Sequence, residues 1–283
     1  MKTVKIAGVP EHFNLPWHLC IENGEFEEEN IDLQWTNVPE GTGKMCQMLR
    51  DGETDLAVIL TEGILKDIAA GNPSKIVQVY VQSPLIWGIH VDAKSDFQTL
   101  KDLKNKKVAI SRVGSGSQLM AYVNANEQGW EMDDLEFEIV NTIDGAVDAL
   151  TNKKADYFMW ERFMTKPLVD KGVFRRIEDC PTPWPSFIIV VRDEFLKKNA
   201  KTVETILKII NKTTVDFKEI PEIDKKLSKL FNQKEEDIKE WLKLTQWSQK
   251  NLTEKSFNKI QNQLFDLGII DKKSIFVETV KAL

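Results

Sequence analysis

The sequence predicts an α/β chain built as two similar lobes, each a mainly parallel sheet covered by helices. Three observations carry this expectation. Short β-branched runs alternate with helical stretches over about the first 190 residues, the tempo of parallel sheets with crossover helices. The order of those elements repeats roughly 102 residues on. A chain of 283 residues with 42% hydrophobic content also suits two lobes better than one.

In chain order, strands are expected at "VKIAGV", "IDLQWTNV", "DLAVIL", "IVQVYV", "KVAIS", "FEIVN", "ADYFMW" and "FIIVV". Helices are expected at 16–23, 43–51, 63–70, 116–128, 143–151 and 161–170. From about residue 195 the pattern turns helical, with Val203, Ile206, Leu207, Ile210 and later Phe257, Ile260, Leu264, Leu267 at i, i+3, i+4, i+7 spacing. That tail reads as packing surface.

The internal repeat sets Asn37 opposite Asn141 and Asp55 opposite Asp156. The apolar runs "SPLIWGIHV" and "PSFIIVVRDEF" flank the second unit, so the expected lobes are 1–91 with 188–283, and 92–187. In open parallel sheets, ligands sit outside the carboxyl ends of the strands. The turns in question are 10–17, 38–43 and 60–63 in the first lobe, and 111–118, 141–145 and 160–163 in the second.

Charge and cysteines narrow the field. The net charge is −6, and residues 1–100 carry 7 basic and 15 acidic side chains while 201–283 carry 16 and 13. Neither region is basic enough for a nucleic-acid footprint. Cys20, Cys46 and Cys180 lack CxxC or Cys/His ligand spacing and read as buried thiols, with no metal site. The chain enters a strand-like run at once, without a charged-then-apolar leader, and no apolar stretch reaches the ~18 residues of a membrane span. The expectation is a cytoplasmic protein as the sequence stands, and a periplasmic one if a leader precedes it.

Each candidate residue carries two readings. Gly114, Ser115, Gly116 and Ser117 open a helix; they are a tight turn and cap, or they hold an anion or carbonyl oxygen at the positive end of the helix. The segment is not a dinucleotide fingerprint, because Leu119 stands where the third glycine belongs. "EGTGK" with Gly41 and Thr42 is not a P-loop either, since Val38 and Met45 break the pattern. Arg112 is a bidentate partner for a carboxylate, sulfonate or phosphate, or a surface ion pair. His12, with Phe13, Asn14 and Trp17, fills the first strand-end turn as a general base, a neutral hydrogen-bonding group or a structural histidine, the last two favoured. Thr61 and Glu62 follow "VIL"; the carboxylate receives a ligand amine or ring N–H, or complements a helix dipole. Asn141, Trp160, Glu161 and Trp184 complete the set, the tryptophans as cleft walls or as plain core.

The whole chain resembles the type 2 periplasmic binding proteins, in the branch of ABC-importer solute receptors for sulfonates, nitrate and thiamine-pyrimidine precursors. The resemblance is carried by "DLKNKKVAISRVGSGSQ", "GETDLAVILTEG" and "KKADYFMWERFMTKPLVDKG". It implies the two-lobed type 2 periplasmic-binding-protein fold, a ligand cleft between hinged lobes, and no cofactor. A small-molecule ligand is the implied partner, with an ABC permease if the chain is exported. The expected function is a receptor for a small polar, anionic or heteroaromatic molecule. The alternative is an enzyme on the same fold acting on a small cofactor or vitamin precursor. Against that alternative, the clustered-cysteine iron motif of the precursor synthases is missing, and His12, His18 and His90 have no HxH or HxxxH spacing.

Overall fold

The computed structural model describes all 283 residues, which divide into two compact units: residues 1–83 with 184–283, and residues 84–183. The first unit opens with β1 (Lys2–Gly8), α1 (Leu15–Glu22), α2 (Glu25–Glu28), β2 (Ile31–Asn37), α3 (Thr42–Asp51), β3 (Leu56–Leu60), α4 (Thr61–Ala69) and β4 (Ser74–Val81). The second holds β5 (Ile86–Asp92), β6 (Val108–Ile110), α5 (Gly116–Gln128), β7 (Phe137–Ile139), α6 (Ile143–Thr151), β8 (Tyr157–Glu161), α7 (Arg162–Asp170) and β9 (Phe174–Pro181). The chain returns to the first unit through β10 (Phe187–Arg192), α8 (Asp193–Asp216), α9 (Ile223–Phe231), α10 (Glu235–Leu244), α11 (Glu254–Asp266) and α12 (Phe276–Thr279).

Each unit has one five-stranded sheet, ordered β2-β1-β3-β10-β4 in the first and β7-β6-β8-β5-β9 in the second. The three strands that begin each order are parallel, and the fourth, β10 or β5, runs antiparallel to both its neighbours. The sequence repeat is therefore a topological one.

One carboxylate in each unit does the same work. The backbone N–H of Lys5 donates to Asp55 Oδ2 at 3.0 Å while the N–H of Asp55 donates to the Lys5 carbonyl at 3.0 Å. In the second unit the N–H of Lys107 donates to Asp156 Oδ2 at 2.8 Å, and the N–H of Asp156 returns to the Lys107 carbonyl at 2.8 Å. Both pairs sit where the central strands enter the sheet.

The unit boundaries differ from the expected 91/92 and 187/188. The run 86–92 is itself a strand, β5, bonded to β8 and β9, so the chain enters the second unit before it. β9 was not expected at all. The helical tail follows the predicted periodicity: Val203, Ile206, Leu207 and Ile210 of α8 and Phe257, Ile260 and Leu264 of α11 are buried, while Leu267 lies just past the end of α11. No helix is long and apolar enough to cross a membrane.

Candidate functional site

In the first unit the carboxyl ends of β1, β2 and β3 deliver the three expected turns. After β1, Glu11 leads into a short 3-10 turn at His12–Asn14, and α1 follows with Pro16 in its first turn. His12 is buried, with Phe231 and Trp241 rings at 4.3 and 5.0 Å. Burial outweighs a contact from Gln233 and lowers the imidazole pKa to about 4, so the ring is neutral at physiological pH. The Phe13 carbonyl accepts the Tyr80 hydroxyl at 2.7 Å and the Trp247 indole N–H at 3.2 Å. Asn14 donates to the Val9 carbonyl at 2.8 Å. Phe13 packs its ring on Phe187 and Trp241. Trp17 lies on the sheet-facing side of α1 among Phe26, Trp35 and Tyr80, fully buried. The first turn therefore supplies core and scaffold through Phe13 and Trp17.

Gly41 has φ +77°, a conformation glycine adopts freely, and it starts α3 at Thr42. Thr42 presses on Gly63, where a Cβ would come within 2.3 Å of Thr42 Cγ2, so the N-termini of α3 and α4 approach closely only because residue 63 is glycine. Thr61 directs both its N–H and its hydroxyl to the Ser186 carbonyl, at 3.1 and 3.4 Å. Glu62 and Trp184 form a buried pair, with the indole N–H donating to Glu62 Oε2 at 2.8 Å. Burial pushes the Glu62 carboxyl up to about 7, against the opposing pull of its own backbone N–H and the Trp184 indole. Sequence reasoning missed Glu11. It lies within the predicted turn, and burial raises its carboxyl to about 7 as well.

In the second unit β6 ends at Ile110 and leads to α5. Ser115 is the N-cap, its hydroxyl accepting the N–H of Gln118 at 3.4 Å, and Gly114 has φ +76°. The Ser117 hydroxyl turns inward: it accepts the N–H of Ser111 at 2.9 Å and lies 3.0 and 3.4 Å from the hydroxyls of Ser115 and Ser111. Ser111, which the sequence reading left in the background, is thus the third member of a buried hydroxyl cluster. Ser115 and Ser117 spend their side chains on the turn itself, so the cap reading holds for the hydroxyls. What the turn leaves outward is Arg112, Val113 and Gly114, all exposed, ahead of Gly116 at the first position of the helix. Ser117→Ala is expected to lower stability by about 1–3 kcal/mol, because the buried Ser111 N–H loses its acceptor. Chemical denaturation of the variant checks this.

After β7, Asn141 has φ +61° and donates its N–H to the Ser111 carbonyl at 3.0 Å, which ties the second turn to the first. Thr142 caps α6 by accepting the N–H of Gly145 at 3.1 Å. A Cβ on Gly145 would stand 2.0 Å from the Val140 carbonyl oxygen. Gly145→Ala should therefore cost about 1–3 kcal/mol as that backbone shifts, read by thermal melting, with Asn152→Ala at the other end of α6 as the mild control.

At the end of β8, Trp160 is half-buried, stacked on Phe158 at 5.4 Å and edge-on to Trp87 at 6.2 Å. Glu161 does not point freely outward; its carboxylate accepts the N–H of Met164 at 2.7 Å as the N-cap of α7, which shortens the expected helix by one residue at its start. His90 is buried on β5, shares a hydrogen bond of 2.9 Å with the Thr165 hydroxyl, and is held neutral by burial, its pKa lowered to about 4. The three cysteines are free and buried.

Residues 87–180 match a family described as Ca3427-like periplasmic binding proteins. A Candida albicans gene product, CA3427, described as defining a new family with the generic periplasmic binding protein fold, superposes with a TM-score of 0.90 at 26% identity, over 99% of this chain and 96% of that one. The alkanesulfonate-binding protein SsuA from Xanthomonas axonopodis pv. citri, bound to MOPS, superposes with a TM-score of 0.84 at 15% identity, over 100% and 99%. A Bacillus subtilis (strain 168) protein named "Putative aliphatic sulfonates-binding protein" is 25% identical over 197 residues, 69% of this chain and 58% of that protein.

Proposed function

We propose that this chain, which has the periplasmic-binding-protein fold, is a receptor that binds a small molecule bearing an acidic group and releases it unchanged. The observation that carries the reading is the β6–α5 turn. A 13-residue helix begins there, with Arg112 exposed just ahead of its first turn. The positive end of the helix and a guanidinium at one place favour a sulfonate, carboxylate or phosphonate oxygen. Similarity to proteins described as sulfonate-binding supports the same class. The half-buried Trp160 ring suits an apolar stem or flat ring next to the acidic group. An exported setting beside an ABC permease completes the reading: one sulfonate-binding structure of this fold is described as periplasmic and another as the periplasmic component of a sulfonate ABC transporter.

Two measurements test it. Native mass spectrometry of freshly purified protein is expected to show a co-purifying acidic molecule with unaltered mass after prolonged incubation. Calorimetric titration with short alkanesulfonates should then give an affinity that Arg112→Ala weakens by about 1.5–3 kcal/mol, as for a charge-assisted contact. Ser115→Ala, whose hydroxyl is committed to the turn, should leave the affinity of the folded protein nearly unchanged. A normally melting Arg112→Ala variant that binds as tightly as the parent would sink the reading, and recovery of a converted product would move the chain to the enzymes of this fold.

A further inference from the structure

We propose that the ligand also carries a nitrogen-bearing N–H group, ammonium or ring N–H, and that Glu62 in the first unit is the residue that selects it. This rests on the receptor reading and concerns the first unit alone.

Glu62 is only 2% exposed, and its two oxygens differ. Oε2 is held by the Trp184 indole, while Oε1 is buried and has no hydrogen-bond partner. Buried polar atoms are nearly always paired in folded proteins, so an unpaired acceptor at the carboxyl edge of a parallel sheet invites a donor from outside the chain. Thr61 cannot be that donor, since its N–H and hydroxyl both go to the Ser186 carbonyl. The surrounding elements bring no opposite charge. From α3 the Cys46 thiol reaches the Gly63 carbonyl, and burial keeps it protonated. From the stretch before β10 come Trp184 and Ser186. The titration of Glu62 is governed by burial, its own N–H and Trp184, and by no charged side chain.

The neighbouring strand adds a second carboxyl of the same sign. β1 and β3 pair in parallel, Ile6 with Leu56 and Ala7 with Ala57, so Glu11 just past β1 and Glu62 just past β3 lie at the same sheet edge. A ligand that is only an anion would meet two carboxyl groups here. An N–H donor that reaches Oε1 meets an acceptor already oriented by Trp184 and makes a charge-assisted bond with it.

The test compares probes of similar size that differ in the N–H donor, with the charge it carries in the first pair and without it in the second. 2-Aminoethanesulfonate against propane-1-sulfonate is the first pair, and imidazole against thiazole is the second, both at pH 8, where the two rings are neutral and Glu62, with its pKa of about 7, is ionised; calorimetry or ligand-observed NMR reads both. The parent protein is expected to favour the N–H member by about tenfold or more, and Glu62→Gln, which keeps the shape and the Trp184 contact, to bind both members of a pair nearly alike. If both sulfonates bind equally to the parent, the selection by Glu62 is overturned and the receptor reading stands. If neither sulfonate binds while imidazole still beats thiazole through Glu62, the acidic-group reading falls and this one stands. Failure of every N–H probe to bind, or a preference that survives in Glu62→Gln, overturns the proposal. Should that variant not fold, Glu62→Asp, which shortens the carboxylate, must weaken the N–H members and spare the others.

Discussion

Trp17→Ala is expected to lower the stability of the first unit by about 3–5 kcal/mol, the usual range for deleting a buried indole, and to leave the affinity of the folded protein for its ligand unchanged. Trp17 is fully buried on α1, with the rings of Phe26, Trp35 and Tyr80 all about 6 Å from its own. Removing it opens a void bounded by rings that are themselves fixed: Tyr80 donates its hydroxyl to the Phe13 carbonyl, and Trp35 donates its indole N–H to Asn37. A cavity whose walls cannot collapse keeps its full cost. Trp17→Phe, which refills part of the space, should lose noticeably less. Urea unfolding followed by far-ultraviolet circular dichroism gives the stabilities, and calorimetry on the folded variants gives the affinities. A variant with parental stability that no longer binds would return Trp17 to the ligand surface where the sequence reading placed it.

The burial of Trp17 shows where a sequence stops informing. The turn at 10–17 follows β1 as the βαβ pattern requires, but α1 starts at Leu15, and two residues further on a helix has already turned its side chain toward the sheet. Pattern locates the turn, whereas the face of each side chain depends on where the helix begins. The serines of 111–117 teach the same lesson from the other side. The helix start at 116 was legible, yet the inward turn of Ser117 onto the Ser111 N–H depends on local backbone geometry that composition does not carry. The inner parallel strands β3, β6 and β8 read clearly because their apolar runs are buried on both faces. β9 did not, since "FRRIEDCP" bonds only to β5 at the sheet edge and carries Arg175, Arg176, Glu178 and Asp179. Edge strands of that kind have charge where central strands have Val and Ile. β5 was visible as an apolar run, but an apolar run between two lobes does not say which sheet it will join.

Acidification from pH 7 to about 4.5 is expected to weaken the second unit well before the first, and the reason lies in which buried groups each unit holds. His90, in the second, has a folded-state pKa of about 4, set chiefly by burial with Arg176 adding to it and backbone groups of Phe158 and Gly88 opposing. The unfolded chain protonates the same ring near 6.5. As the pH falls from 6.5 towards 4, the unfolded state gains a proton that the folded state refuses, and stability drops by about 3 kcal/mol in total. His12 imposes the same loss on the first unit, its pKa also being about 4, and the partly buried His18, lowered from 6.5 by burial against the pull of Glu22, adds to it. There, however, Glu62 works in the opposite direction. With a folded pKa of about 7 against an ordinary 4.5, its contribution is complete below 4.5 and is lost as the pH rises through 7, so acidification restores roughly what His12 removes. Glu11, raised for the same reason, has the same sign but keeps some exposure and counts for less. The exposed Asp102 and Asp148 of the second unit lie below their ordinary 3.8 and titrate outside this window. Hydrogen exchange resolved by peptide, run at pH 7 and 4.5 and corrected for intrinsic rates, separates the two units. Protection should fall mainly within residues 84–183. His90→Asn should flatten that dependence, and Glu62→Gln should expose the hidden loss in the first unit by removing the group that offsets His12. Equal loss of protection in both units, or an undiminished pH dependence in His90→Asn, would show that these buried groups do not govern acid stability.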